Sequence, residues 1–237
     1  MLHESLVEKS SDDVLKIENL NLKYNNKKIL DDINISVKRG NVITILGPNG
    51  GGKTSLVKAI TGINKNYTGN IIFAENIKIS YMPQNFSINN LMPITVEYFL
   101  LHSFLKRIKK NAPIVEEVVE LVGLNKLLNH QVFEISAGQM QLLLLARCLI
   151  AQPDLIILDE PVSAMDINAR VKFYEIICEI KKKKSVSVFM TSHDLNSVVS
   201  FSNYIICINN CIYCQGKPEE IIEDKGITEI FSSYRKK

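Results

Sequence analysis

The apolar positions of this chain change rhythm along its length, and the changes divide it into elements. From residue 14 to 20 apolar and polar residues alternate weakly, which reads as a strand ending near Tyr24. Asn25-Asn26 marks a turn, after which Ile29, Leu30, Ile33, Ile35 and Val37 alternate with polar residues as a half-buried strand. Arg39-Gly40 turns the chain into a β-branched run, Val42, Ile43, Ile45 and Leu46, that reads as a buried strand. The spacing then becomes helical through Leu56, Val57, Ala59 and Ile60. The opening of the chain is therefore antiparallel β leading into a strand–loop–helix unit.

Tyr67-Thr68-Gly69-Asn70 reads as a turn, followed by short strands at residues 71–73 and 77–81, the second stopped by Pro83. Residues 85–93 form a polar connector. Thr95 is the expected N-cap of a helical stretch through Val96, Phe99, Leu100, Phe104, Leu105 and Ile108. Residues 114–122 give a second helix closed by Gly123, so a helical insert separates two β-rich regions. A small polar turn at Ser136 opens a helix to residue 151, which Gln152-Pro153 terminates. Strands are expected at 155–158 and 185–190, with a helix capped by Asp166 running to residue 180 between them. Lys181 to Lys184 suits a solvated helix end, where positive charge is favourable. Asp194 caps a short helix, residues 204–214 form a hairpin, and Pro218 starts a last helix. Strands alternating with helices, several of them apolar on both faces, predict an α/β fold with a mostly parallel sheet covered on both sides.

Composition narrows the function classes. The 237 residues are 46% hydrophobic and 22% charged, enough for one compact unit. A net charge of +3 is too small to argue for nucleic acid. Residues 1–13 are polar and mixed in charge, without the basic-then-apolar pattern of a signal segment. No apolar run approaches the roughly 18 residues of a membrane helix; the longest, 142–151, is broken by Arg147. If the protein acts at a membrane, a partner must supply the span. Five cysteines, an odd number, argue for reduced thiols and a cytoplasmic setting. Cys211-x-x-Cys214 is the one close pair, and it fits a hairpin arm better than half of a zinc site.

Gly47-Pro48-Asn49-Gly50-Gly51-Gly52-Lys53-Thr54, between the buried strand and its helix, is G-x-x-x-x-G-K-[ST], a phosphate-binding loop in the required frame. The glycines let successive N–H groups turn inward as an anion nest at a helix N-terminus. Lys53 is placed to reach β- and γ-phosphates, and the Thr54 hydroxyl to ligate Mg²⁺. The chain is thus expected to bind ATP with Mg²⁺. Asp159, at the end of the apolar strand 155–158, has the position of a carboxylate that holds Mg²⁺ through water, and Glu160 suits polarising a water against the γ-phosphate.

Through these motifs the chain resembles the nucleotide-binding subunit of ATP-binding-cassette (ABC) transporters over nearly its whole length. Ile135-Ser136-Ala137-Gly138-Gln139 with Gln141 is similar to that family's signature loop, which in one subunit caps the γ-phosphate bound by the other. The resemblance implies a P-loop NTPase, RecA-like core with an N-terminal antiparallel β subdomain and a helical subdomain. The expected boundaries are a single domain over 14–237, core at 14–84 and 152–237, helical part at 85–151 and a polar extension at 1–13. It further implies adenine stacking by Tyr24, nucleotide contacts along 47–55 including Ser55, a coupling and metal-side role for Gln84, and a γ-phosphate contact from His193. Ser163 to Asp166 becomes the loop that spans a dimer. Glycine is usual where this chain has Ala137, and a basic residue where it has Leu142.

Within that family, residues 79–84, 91–100 and 204–220 look most like the ATPases of divalent-metal importers, especially zinc uptake, with manganese or iron as alternatives. The implied partners are a second copy of the chain, an integral-membrane permease and, indirectly, an extracytoplasmic solute-binding protein, at the inner face of the membrane. A non-transport ABC ATPase and a regulator binding metal through Cys207, Cys211 and Cys214 are the rival classes.

Overall fold

A computed structural model describes residues 12–86, 92–102, 113–184 and 186–224. Residues 1–11 of the extension expected at 1–13, part of the connector after Phe86, the helical continuation past His102 and the chain beyond Asp224 lie outside the described residues.

Two sheets are built from the strands. β1 (Asp13–Tyr24) pairs antiparallel with β2 (Lys27–Lys38) on one side and with β4 (Tyr67–Phe73) on the other. β3 (Val42–Leu46) instead enters a six-stranded sheet in the order β5-β6-β7-β3-β8-β9. There β5 (Ile79–Met82), β6 (Leu155–Asp159), β7 (Ser187–Ser192) and β8 (Tyr204–Asn209) run parallel to β3, and only β9 (Cys211–Gly216) is antiparallel. The helices are α1 (Lys53–Ile60), α2 (Val96–His102), α3 (Pro113–Val122), α4 (Ala137–Ile150), α5 (Ile167–Lys184), α6 (Leu195–Val198) and α7 (Pro218–Glu223). No helix among the described residues is long and apolar enough to cross a membrane.

The period of two along each strand sorts the core. Ile43, Ile45, Leu155, Ile157 and Phe189 face α1 and the antiparallel sheet, where they meet Leu15, Ile17, Leu20, Leu30 and Ile33. Val42, Leu46, Ile156, Leu158, Val188 and Met190 face the other way, into a cluster shared with α2 to α5. The parallel sheet is buried on both faces, as its continuous apolar runs require.

The structure departs from the expected elements at two places. Residues 67–70 do not turn; they are the first half of β4. Gly69 sits at φ +94, and a Cβ there would lie 2.3 Å from the Asn19 carbonyl oxygen. Asn19 opposite it is also left-handed, at φ 50, and the β1–β4 register shifts between Glu18 and Asn21. The Gly69-Asn70 pair that suggested a turn marks a bulge in the sheet, with Asn19 opposite. The second departure concerns the thiols. Cys207 and Cys214 are direct cross-strand partners in β8 and β9, their Cα atoms 5.0 Å apart, and they form a disulfide. Cys148, Cys178 and Cys211 are free, and Cys211 is exposed on the hairpin. The hairpin reading of Cys211-x-x-Cys214 holds, whereas the expectation of five reduced thiols does not.

Candidate functional site

The phosphate loop is built from steric constraints on its glycines. A Cβ on Gly47 would fall 2.2 Å from the Ile208 carbonyl oxygen of β8, and one on Gly52 would strike Leu30 and the Ile29 carbonyl of β2. Gly50 and Gly52 are left-handed, at φ +81 and +98, and Gly52 is the N-cap of α1. The turn between β8 and β9 braces the loop from below: the Asn210 N–H donates to the Gly51 carbonyl at 3.0 Å, and the Asn210 carbonyl accepts from the Asp31 N–H at 2.8 Å.

Inside this cradle the Lys53 ammonium is nearly fully buried. It donates to the Gly47 carbonyl at 2.8 Å and the Pro48 carbonyl at 3.0 Å, and it lies 3.0 Å from Glu160 Oε1. The other carboxylate oxygen of Glu160 accepts from Gln84 Nε2 at 3.3 Å and lies 3.2 Å from His193 Nδ1. Three residues that the sequence places far apart therefore converge on the Glu160 carboxylate. They do so because β5, β6 and β7 are adjacent and parallel, so their C-terminal ends, carrying Gln84, Asp159-Glu160 and His193, share one edge with the β3–α1 loop.

Asp159 is 1% exposed and bonds to two hydroxyls. Its Oδ1 accepts from Thr54 Oγ1 at 3.3 Å and from Thr191 Oγ1 at 2.7 Å, while its Oδ2 is buried without a hydrogen-bond partner. Burial pushes the Asp159 carboxyl above its ordinary range, against the opposing effect of the two hydroxyls and Lys53. A buried carboxylate with an unsatisfied oxygen beside a hydroxyl is a donor set of hard oxygens, which suits Mg²⁺.

The other expected residues border this constellation or lie away from it. Tyr24, at the end of β1, is 71% exposed. Asn49 is exposed and Pro48, Thr54 and Ser55 are half-buried. Ser136 to Gln139 form the start of α4, where their side chains close a capping box: Gln139 N–H donates to Ser136 Oγ at 3.2 Å, and Ser136 N–H to Gln139 Oε1 at 2.8 Å. Ala137 is helical with negative φ, so the missing glycine imposes no strain. Leu142 is buried in the core rather than presented to a partner. Asp166 caps α5 by accepting from the Ala169 N–H at 2.8 Å. Arg170 then ties that loop to the segment after His193, donating through Nε to the Met165 carbonyl at 3.0 Å with Nη1 3.9 Å from Asp194 Oδ2. Among the described residues no group of three or more His, Cys, Asp or Glu side chains is arranged to hold a metal.

Sequence reasoning passed over Thr191 and Asn210, both of which touch the residues named above.

The comparisons with known proteins agree with this geometry. The "ABC transporter" family matches residues 30–163. A curated relative from Wolbachia sp. subsp. Brugia malayi (strain TRS), "Zinc import ATP-binding protein ZnuC", is 71% identical over 94% of this chain and 91% of its own. The protein of the same name from Ehrlichia ruminantium (strain Gardel) is 50% identical over 94% and 92%. Among solved structures, MJ1267, an ATP-binding cassette of an ABC transporter, superposes with a TM-score of 0.81 at 26% identity, covering 93% of this chain and 99% of that one. With phosphate loop, paired acids and family in agreement, the chain belongs to the ABC transporter family, as an ATP-binding and ATP-hydrolysing subunit.

Proposed function

We propose that this chain powers a zinc importer: two copies pair head to tail, bind ATP between them and drive a separate membrane permease fed by an extracytoplasmic solute-binding protein. The observation that carries the hydrolytic part is the meeting of Lys53, Gln84 and His193 on the Glu160 carboxylate. The zinc assignment rests on the relative that is 71% identical and named for zinc import.

In this reading Lys53 exchanges the Gly47 and Pro48 carbonyls for β- and γ-phosphate oxygens, which frees Glu160 Oε1 to accept a proton from the attacking water. Gln84 and His193 orient the water and the γ-phosphate through the neighbouring oxygen, Oε2. Thr54 and Asp159 would hold Mg²⁺, which would supply positive charge against the phosphate oxygens. Tyr24 stacks on adenine from its exposed turn. Ser136 to Gln139 cap the γ-phosphate of the opposite copy, because the capping box occupies the Gln139 N–H and leaves the Ala137 and Gly138 N–H groups at the positive end of α4 to favour an anion. Asp166 and its loop line the junction between copies. The helical part, 85–151, docks the permease at the inner face of the membrane, turning closure of the pair into transport.

The test is the metal content of cells whose only copy carries Lys53→Ala, grown on limiting metals. A selective loss of zinc, restored by added zinc, is the expected result. A loss of manganese or iron instead would replace the substrate, and unchanged metals would remove the transport assignment.

A further inference from the structure

β7 is a buried strand that ends on two hydroxyls, Thr191 and Ser192, and it lies between β6 and β3 in the parallel sheet. The β6–β7 register sets Thr191 directly beside Asp159. The Thr191 side chain is fully buried and makes two different hydrogen bonds. Its hydroxyl donates to Asp159 Oδ1 at 2.7 Å and accepts from the Glu160 backbone N–H at 2.9 Å. One proton and one lone pair are thereby used, so the group works as a link rather than as a terminal donor.

The second bond falls at an unusual place. Glu160 has φ 46, a left-handed backbone that L side chains rarely adopt. That twist ends β6 and sends two successive carboxylates to different tasks: Asp159 toward Thr54, Glu160 toward Lys53, Gln84 and His193. We propose that Thr191 is a positioning residue for ATP hydrolysis, its single hydroxyl fixing the side chain of Asp159 and the backbone of Glu160 together. This rests on reading those acids as the magnesium and water residues.

The experiment compares Thr191→Val, which keeps shape and removes the hydroxyl, with Thr191→Ser, which keeps the hydroxyl and removes a methyl. Each is assayed for steady-state ATP hydrolysis and for affinity toward a fluorescent ADP, with Mg²⁺ and with EDTA. The expected result for Thr191→Val is a fall in kcat on the order of 10²-fold, as for a misplaced reacting group. Its affinity in EDTA should stay unchanged and the Mg²⁺-dependent gain in affinity should disappear, with Thr191→Ser retaining both properties. A purely architectural threonine would give lower melting temperatures in both variants and normal kcat at temperatures where they are folded, which overturns the proposal. Equal loss in Val and Ser overturns it too. Should Thr191→Val not fold, Thr191→Ala against Thr191→Ser makes the same comparison. Glu160→Gln run in parallel separates the two failures. If it hydrolyses ATP normally, the site reading falls and the proposal with it; if it is inactive while Thr191→Val is normal, the proposal alone falls.

Discussion

Glu160 shows what one side chain can be asked to do. It is 7% exposed, and its two oxygens serve a lysine, an amide and an imidazole. Glu160→Gln keeps the volume and removes the proposed base, so hydrolysis should fall by about 10²- to 10⁴-fold. Nucleotide affinity should not fall with it. Phosphate release and a nucleotide titration on the same sample would check both. Cys148 tests burial instead of chemistry. Its thiol is pushed by burial from 9.0 to about 12, whereas Cys211 is exposed. Alkylation needs the thiolate. Native protein at pH 8 should therefore be labelled by iodoacetamide at Cys211 and not at Cys148, as peptide mass mapping would reveal. The folded Cys148 holds its proton longer than the unfolded chain does, so its contribution to stability is complete below pH 9.0 and is lost as pH rises toward about 12.

Legibility at this scale follows from how many alternatives a residue has. Gly47 and Gly52 could be read from sequence because no other residue fits against the Ile208 carbonyl or at φ +98. Thr191 could not, because threonine is an ordinary strand residue and only the β6–β7 register gives its hydroxyl two partners.

Among elements, α4 and β4 make opposite cases. α4 announced itself through a small polar turn at Ser136 ahead of an apolar run, and the structure closes Ser136 and Gln139 as a capping box. Ser136→Ala should lower stability by about 1 kcal/mol in urea denaturation. β4 hid behind its composition: Gly69 and Asn70 look like a turn, yet they belong to a strand that bulges against β1. Left-handed residues such as Gly69 serve bulges and turns alike, so residue type alone does not separate them. Gly69→Ala meets both a positive φ and a carbonyl 2.3 Å away. It should cost more than about 1 kcal/mol, read as a lower midpoint in the same experiment.

In the whole molecule, the parallel sheet divides the core into two apolar clusters, and the site occupies the edge where strand ends from distant parts of the sequence meet. α/β alternation was visible in the hydrophobic rhythm; the strand order was not, because long-range pairing leaves little trace in local pattern. That order has a consequence for how the protein comes into being. β3, which carries the phosphate loop, belongs to the first quarter of the chain, but its neighbours are β7 and β8, and its glycines rest on Ile208 and Asn210. A ribosome releasing the chain from its N-terminus exposes the nucleotide motif long before the strands that shape it. ATP binding is then a late event in biogenesis, gained only after the β8–β9 hairpin has been synthesised. A nascent chain stalled short of Tyr204 should leave ATP in solution, and one that includes Gly216 should capture it.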